Sequence, residues 1–346
     1  MTFSDLITRL RDGADLDAAA VESAAALLLD AAAGDAEKAD FLKALATKGE
    51  RPSEIAAFVR SFLTHAVPVP FDAWAVRRPC MDICGTGGDK LGLFNISTAS
   101  MFLLAAAGAC VVKHGNRGIT SKSGGADVLE ALGVRIDLSP EQFAACVTQH
   151  GAGFMLAPHY HPAFKAVAGA RAALAKEGVR TIFNLIGPLL NPVQPPMQLV
   201  GVFDPSLPPV YAEILRQLGR SRAWAVHGTV PGGGGMDEVS TLGPTRIVSL
   251  ADGVITDGVE TVPLPLPISV SELTGGDAAE NARLIEALLA GEIAGAKRDI
   301  VLANTAASLR MSGMAATWDE GLRIAQAQIT SGAAVAVLRS LQAFGK

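Results

Sequence analysis

The feature of this sequence that most constrains its fold is a change of periodicity near residue 66. Before that point apolar residues recur at three- to four-residue spacing, as at Leu6, Leu10 and Leu16, which predicts helices only. After it, short β-like runs alternate with helical segments, a pattern typical of a mainly parallel sheet covered by helices. We predict strands at 80–84, 109–113, 153–157, 198–202 and 222–227, and helices at 97–107, 126–132, 140–150 and 208–218. The sequence therefore predicts an α/β protein with a small all-helical N-terminal domain and a large α/β domain with a mainly parallel sheet.

The proline-rich segment 66–71 is the expected linker, so we expect a helical domain over residues 1–68 and an α/β domain over 76–346. In the first domain the helical period resumes at 37–47 and 53–64, with Ser53 as the expected N-cap. In the second, residues 243–272 are expected to form an antiparallel excursion, and the chain is expected to close with helices from 280 onwards. Because the helical module lacks a deep core of its own, we expect it to pack on the rest of the chain or on a second subunit.

Composition and charge exclude several classes of protein. With 49% hydrophobic and 18% charged residues, the chain has enough apolar material for a large core and is not intrinsically disordered. The formal net charge of -5 argues against a nucleic-acid-binding protein, which needs a basic face. The first 17 residues mix acids and bases, and the apolar run 101–112 is too short to span a bilayer. We expect a cytoplasmic protein with no membrane partner and four reduced, buried cysteines.

The segment 81–100 has the features of a phosphate-binding turn. A short apolar strand leads into Gly85-Thr-Gly-Gly-Asp89, and the polar run Asn95–Thr98 follows where the next helix begins. Glycines let backbone amides converge on an anion, and a helix N-terminus favours phosphate. The segment is neither a dinucleotide fingerprint, because Lys90 stands where the third glycine is required, nor a Walker A loop.

Two further segments carry charge in suggestive places. Lys113, Arg117 and Lys122 follow another apolar strand, which predicts a local cationic pocket in an acidic protein; the alternative is a solvated charged loop. Asp237 and Glu238 follow the glycine run 232–235, and adjacent carboxylates of this kind suit Mg²⁺; the alternative is an acidic surface turn. His114 is interpreted as a packing histidine, and His159 and His161 as non-ligands. Together the segments predict a ligand with several phosphates, held with a divalent cation.

These stretches resemble the anthranilate phosphoribosyltransferase family. The motifs that carry the resemblance are GTGGD at 85–89, FNIST at 94–98, KHGN at 113–116, SKSG at 121–124, ADVLEALG at 126–133, TIFNLIGPLLNP at 181–192, the acidic pair at 237–238 and AAENA at 278–282. They occur in the family's order over essentially the whole chain. The resemblance implies transfer of the ribosyl 5-phosphate from phosphoribosyl pyrophosphate to the amino group of anthranilate, with release of pyrophosphate, in tryptophan biosynthesis. It also implies that helices from about 162–192 join the helical domain, and that two subunits dimerise through it.

The resemblance implies a role for specific residues. Phosphoribosyl pyrophosphate is expected to be bound by Gly85, Gly88, Asp89, Asn95, Ile96, Ser97, Thr98, Lys113, Ser121 and Gly125; anthranilate by Gly85, Asn116 and Arg171; and Mg²⁺ by Ser97, Asp237 and Glu238. No acid or base is assigned, because an aromatic amine is already a neutral nucleophile. The chain departs from the family's usual pattern at Leu93, Gly118 and Gly125, where a hydroxyl is common, and by a short insertion at 175–177.

Two other functions fit the same motifs. A pyrimidine-type nucleoside phosphorylase would share the fold and run related chemistry with inorganic phosphate. A phosphoribosyltransferase paralogue would use the same donor with another aromatic amine, or bind nucleic acid without catalysis. The acidic pair and the KHGN run disfavour the phosphorylase, and the net charge disfavours nucleic acid.

Overall fold

The computed structural model describes residues 1–118, 122–265 and 269–345. Its central feature is one eight-stranded sheet in the order β3-β2-β1-β4-β5-β7-β8, with β6 paired to β5. The strands are β1 Cys80–Gly85, β2 Cys110–Gly115, β3 Ala152–Leu156, β4 Met197–Gly201, β5 Arg222–Thr229, β6 Gly235–Met236, β7 Thr245–Ala251 and β8 Val254–Glu260. The first five strands pair in parallel, whereas β6, β7 and β8 are antiparallel to their neighbours. The predicted fold class is confirmed, and β7 and β8 form the antiparallel excursion expected within 243–272.

Fourteen α-helices are found in the described residues. They are α1 Phe3–Arg11, α2 Ala18–Leu29, α3 Asp35–Lys48, α4 Pro52–Leu63, α5 Ile96–Ala106, α6 Gly125–Ala131, α7 Pro140–His150, α8 Ala157–Tyr160, α9 Ala168–Lys176, α10 Leu207–Gln217, α11 Ala278–Leu289, α12 Ala296–Ser312, α13 Trp318–Thr330 and α14 Ala333–Ala343. Short 3₁₀ turns lie at 162–167, 182–184, 187–189 and 270–273. Within the described part of the chain, no helix combines the length and apolar character needed to cross a membrane.

The expected N-cap at Ser53 is wrong, because α4 begins one residue earlier. Pro52 occupies the first helical position, where its missing amide hydrogen costs nothing. The backbone amide of Arg51 is satisfied instead by the Glu54 carboxylate, at 2.8 Å. Glu54 is buried and also receives Lys48 Nζ at 2.7 Å, so the helix start is fixed by an ion pair rather than by a serine hydroxyl.

Two hydrophobic cores lie on opposite faces of the sheet. One is built mainly from α5, α7, α12 and the β1–β3 side of the sheet. The other joins α1–α4 to α10, to the segment 167–190 and to sheet residues such as Val200 and Ala225. The helical module therefore packs on the rest of the chain, which is one of the two arrangements expected. All four cysteines are buried and free, as predicted.

Candidate active site

The candidate site lies at the carboxyl ends of β1, β2, β4 and β5, where open parallel sheets bind ligands. The segment that carries Asp237 and Glu238 crosses this edge directly above three glycines. A Cβ atom on Gly85 or Gly201 would overlap Asp237, and one on Gly228 would lie 2.5 Å from the carbonyl oxygen of Glu238. We call Gly85, Gly201 and Gly228 the glycine seat. Its lack of side chains allows the acidic segment to lie directly on the strand ends.

The acidic pair is half-buried among like charges. The Asp237 carboxylate accepts a hydrogen bond from the Gly87 amide at 2.6 Å, which joins it to the glycine turn. Burial, and then the neighbouring Asp89 carboxylate, raise the pKa of Asp237 above its ordinary value. Burial and the Asp237 charge raise the pKa of Glu238 well above its own, although the Ser97 amide donates to it. The structure thus brings Asp89, Ser97, Asp237 and Glu238 together, and the acidic pair is not an exposed surface turn.

These residues fit a divalent cation. Mg²⁺ commonly takes one or two protein carboxylates and completes its shell with water and substrate phosphate oxygens. A dication would offset the repulsion between these two half-buried carboxylates, and Ser97 supplies a hydroxyl at the same place. Among the described residues, no group of three or more His, Cys, Asp or Glu forms a ready-made cation cage. The residues therefore suit a metal ion held partly by the protein and partly by substrate.

Lys113 supplies the buried positive charge of the site. It is 4% exposed, and its ammonium donates to the Ile83 carbonyl at 2.5 Å and to the Ser97 hydroxyl at 3.1 Å. The ammonium therefore stands between the end of β1 and the start of α5. The next residue in sequence, His114, is also buried, and burial followed by the charge of His161 lowers its pKa to about 3. His114 is packed edge-on against the His161 ring, with 5.3 Å between ring centroids.

Asn95 is oriented by a residue that sequence reasoning did not assign to the site. The Asn281 amide donates to Asn95 Oδ1 at 3.0 Å, so Asn95 Nδ2 is directed to the Ser123 carbonyl at 3.1 Å. Asn281 itself is 2% exposed and accepts from the Gly276 amide at 2.9 Å. It lies in the AAENA stretch, which contributes to the family resemblance but received no role from it. Ile96 and Thr98, which follow Asn95, are buried in the first turns of α5.

The predicted cationic pocket is partly wrong, because Arg117 is already neutralised. Its guanidinium lies 3.1 Å from Asp127 and 2.7 Å from Glu130. The other oxygen of the Asp127 carboxylate accepts from the amides of Gly118 and Gly124, at 2.8 and 2.9 Å. Arg117 therefore stabilises the turn that leads into α6 rather than offering a charge to a ligand. The signal that could have revealed this is the three-residue spacing of Asp127 and Glu130, which places both acids on one face of a helix.

The remaining predicted residues lie around the glycine turn and Lys113, or in α9, which packs with the N-terminal helices. Gly125 begins α6, and a Cβ there would lie 3.4 Å from Thr98 Oγ1, an ordinary contact. Gly88 has φ +92°, and a Cβ on it would lie 3.7 Å from the Phe203 ring. Asn116 follows β2, and its side-chain oxygen accepts from the Arg117 amide at 2.8 Å. Ser121 lies outside the described residues.

Arg171, the residue expected to meet anthranilate, lies in α9. Its guanidinium is 4.9 Å from the centroid of the Phe183 ring, and burial lowers its pKa from the usual value. Within the described part of the chain it takes part in no salt bridge. A desolvated guanidinium without an acidic partner suits a carboxylate ligand. The structure shows no direct contact between Arg171 and the glycine turn.

Comparisons with known proteins agree with this architecture. The family described as "Glycosyl transferase family, helical bundle domain" matches residues 4–66, and "Glycosyl transferase family, a/b domain" matches residues 77–335. The fold and the site therefore place the chain in this class of glycosyl transferases. The chain is 45% identical to the anthranilate phosphoribosyltransferase of Parvibaculum lavamentivorans over 99% of this chain and 97% of that protein. It belongs to the anthranilate phosphoribosyltransferase family, so the resemblance inferred from its motifs is confirmed.

Two solved structures extend the comparison to three dimensions. The anthranilate phosphoribosyltransferase of Thermus thermophilus is similar with a TM-score of 0.88 and 37% identity, covering 98% of this chain and 99% of that one. The Saccharomyces cerevisiae enzyme in complex with phosphoribosyl pyrophosphate and Mg has a TM-score of 0.86 and 26% identity, covering 98% and 96%. The similarity thus includes both the helical bundle and the α/β unit.

Proposed function

We propose that this chain transfers the 5-phosphoribosyl group from phosphoribosyl pyrophosphate to the amino group of anthranilate, as its family does in tryptophan biosynthesis. The observation that carries the proposal is the Asp237 carboxylate, docked on the Gly87 amide 2.6 Å away. This contact brings an acidic metal-binding segment onto a glycine turn suited to phosphate, at one edge of a parallel sheet. A donor that carries pyrophosphate needs both features at the same place.

Donor binding is assigned to the turn and to the start of α5. Gly85, Gly88 and Asp89 would hold the diphosphate side of the donor, beside the point where the Asp237 carboxylate accepts from the Gly87 amide. The residues 95–98 would hold a phosphate at the helix N-terminus, with Asn95 oriented by Asn281. Lys113 stands between these two groups and would offset part of the negative charge. Ser121 and Gly125 are proposed as neighbours of the same ligand.

Mg²⁺ is proposed to be held by Ser97, Asp237 and Glu238 together with donor oxygens, and it would supply a Lewis acid that stabilises the departing pyrophosphate. The Asp237 carboxylate itself holds the acidic segment to the glycine turn, through the Gly87 amide at 2.6 Å. Burial raises the pKa values of Asp237 and Glu238 and so favours their protonated forms, whereas a bound dication would stabilise both carboxylates as anions.

The acceptor is proposed to lie between the glycine turn and α9, the helix that carries Arg171. Asn116 and Arg171 would orient anthranilate, with the Arg171 guanidinium paired to its carboxylate and Gly85 behind the ring. The neutral amine attacks the anomeric carbon as the bond to pyrophosphate breaks, and the amine proton is lost afterwards. The task of the protein is therefore to position two ligands and to stabilise the leaving charge.

We propose that the functional unit is a homodimer in the cytoplasm, formed through a helical domain of residues 1–68 with helices from 162–192. Lys38 supports this domain assignment, because its ammonium donates to the carbonyls of Asp30 and Ala166, both at 2.6 Å. The exposed face of α1 and α3 carries charges of both signs, so two copies of this face related by a two-fold axis can pair opposite charges. Four free cysteines suit a reducing compartment. Sedimentation equilibrium tests the dimer, and a single monomeric species would contradict it.

The activity is tested by the loss of anthranilate fluorescence with purified protein, phosphoribosyl pyrophosphate and Mg²⁺. Turnover is expected for the wild type, and no turnover at saturating substrate would contradict the proposal. The double variant Asp237→Asn/Glu238→Gln should lose about 100-fold or more in kcat/KM and require more Mg²⁺. Glu292→Gln, at an exposed position far along the chain, is the matched control. An unchanged metal requirement in the double variant would remove the acidic pair from the site.

A further inference from the structure

The charges of the candidate site do not balance for a ligand with several phosphates. The Asp237 carboxylate accepts from the Gly87 amide at 2.6 Å, Asp89 lies two residues further along the same turn and Glu238 follows Asp237, so three carboxylates share the pocket. Lys113 is the buried cation that faces them. Arg117 cannot contribute, because Asp127 and Glu130 already neutralise it. A divalent ion would offset the carboxylates, but the charge of a bound pyrophosphate group would still need a cation nearby.

Arg180 supplies a cation at the rim of the glycine turn. Its guanidinium carbon lies 4.3 Å from the centroid of the Phe203 ring. The Phe203 ring lies beside Gly88, since a Cβ on Gly88 would be 3.7 Å from it. The Phe203 amide donates to the Thr86 hydroxyl at 3.3 Å, so the ring is tied to the same turn. Arg180 is thus held next to the turn through Phe203.

The guanidinium of Arg180 is held in place by the Phe203 ring but is not neutralised by an acidic partner among the described residues. Its side chain is exposed, and among the described residues it forms no salt bridge. The neighbouring Asp204 carboxylate accepts instead from the Ser206 hydroxyl at 2.6 Å and the Ser206 amide at 2.9 Å, and it forms no salt bridge with Arg180. An aromatic ring occupies a face of a guanidinium and leaves its edge N–H groups available. Those groups form the planar donor fork that binds phosphate oxygens.

We propose that Arg180 is a further binding residue for the donor, and that it contacts the pyrophosphate group. The inference rests on the proposed function and adds to it a residue outside the recognised motif positions. Gly88 follows Gly87, whose amide donates to the Asp237 carboxylate at 2.6 Å, so the proposed metal-binding end of the pocket is the end that Arg180 borders. The 5-phosphate is assigned to the other end, at the start of α5. Arg180 therefore faces the leaving group, whereas Arg171, stacked on Phe183, remains the partner of the acceptor.

The experiment compares wild type, Arg180→Ala, Arg180→Lys and Phe203→Leu. Arg77→Ala, an exposed arginine that precedes β1, is the control. The measurements are the KM of each substrate, the Kd of Mg²⁺-pyrophosphate by titration calorimetry, and the thermal midpoint of each protein. Arg180→Ala should raise the donor KM and the pyrophosphate Kd about tenfold, with the anthranilate KM within about twofold. Arg180→Lys, which keeps the charge without the fork, should raise both donor constants about threefold.

The remaining outcomes separate this inference from the proposed function. Phe203→Leu keeps the Arg180 charge but removes the aromatic ring that positions it. This variant should weaken pyrophosphate binding less than Arg180→Ala does. If the wild type turns over and Arg180→Ala leaves the donor KM and the pyrophosphate Kd unchanged, the role of Arg180 is refuted and the function stands. If both substrates' KM values and the thermal midpoint change together in Arg180→Ala and Arg180→Lys, Arg180 is structural. If the wild type shows no turnover, the proposed function fails, and pyrophosphate titration of the variants still decides whether Arg180 binds that anion.

Discussion

The ammonium of Lys113 and the hydroxyl of Ser97 lie 3.1 Å apart, and this contact joins the two halves of the edge that we propose binds phosphate. Lys113 lies near the end of β2, whereas Ser97 is in the first turn of α5. The same ammonium holds the Ile83 carbonyl in β1, so one buried cation fixes the relative positions of three elements. A ligand therefore meets a charge that is already in place, and binding does not have to order a long flexible side chain.

Gly201→Ala should disrupt the acidic segment. The new Cβ would overlap the backbone carbonyl of Asp237, which cannot move without dislodging the carboxylate. We expect a loss of about 3 kcal/mol in the free energy of unfolding and a larger Mg²⁺ requirement. Gly258→Ala, on β8 with no atom within 4 Å of its Cβ, is the control. Denaturant melts measure the free energy of unfolding, and titrations of activity measure the Mg²⁺ requirement. If Gly201→Ala and Gly258→Ala had the same values of both, the glycine seat would not be needed.

Asn281→Ala should weaken donor binding without touching the acceptor. Without the hydrogen bond from the Asn281 amide at 3.0 Å, the Asn95 amide is free to rotate away from the Ser123 carbonyl. We expect the donor KM to rise about fivefold, with a stability loss of about 1–3 kcal/mol. The double variant Asn95→Ala/Asn281→Ala should cost less than the sum of the single variants, because the two side chains act as a pair. Strictly additive donor KM effects would contradict that coupling.

Gly125→Ser should strengthen donor binding. The added Cβ makes an ordinary 3.4 Å contact with Thr98 Oγ1, and the hydroxyl would stand near Lys113. Because serine is also a better helix residue than glycine at the start of α6, we expect a slightly higher thermal midpoint. The donor KM should fall about two- to fivefold. A higher donor KM in steady-state assays would show that the glycine is required for space rather than merely tolerated.

Acid should destabilise the protein partly through His114. Burial, followed by the charge of His161, lowers its pKa from 6.5 to about 3, so the unfolded chain binds the proton more readily than the folded one. This contribution to stability is fully present above pH 6.5 and is lost progressively as the pH falls towards 3. Between pH 7 and pH 5 it should decrease by about 2 kcal/mol. Urea melts of His114→Gln should lack that decrease, and a wild-type-like slope would contradict the assignment; His159→Gln, at an exposed position, is the control.

Much of the fold could be predicted because its signals are local. The five parallel strands and the helices between them are short apolar runs bounded by glycine or polar turns, and each predicted element lies within two residues of its observed limits. The glycine turn and the acidic pair are also visible as motifs. Helix ends are harder to predict, as Pro52 and Glu54 show, because a cap depends on which side chain reaches the free amides.

The residues that sequence reasoning misassigned or missed have one thing in common: each contacts a partner that is far away in the sequence. Arg117 is a free cation by sequence alone because its acids lie 10 and 13 residues away, and only the folded turn brings them together. Asn281 has no role by sequence alone because its partner Asn95 is 186 residues earlier. Arg180 resembles any exposed arginine until Phe203 places it beside Gly88. Residue type and spacing do not report contacts of this kind.

The glycine seat limits how this pocket can diversify. Since its three positions admit no side chain beneath the acidic segment, substitution cannot reshape the floor of the pocket at the proposed metal-binding end. We therefore expect variation in ligand preference to arise from the walls of the pocket, above all from the crossover 157–196 between β3 and β4, which contains Arg171 and Arg180. An engineer seeking a new acceptor would randomise that crossover and leave the floor untouched.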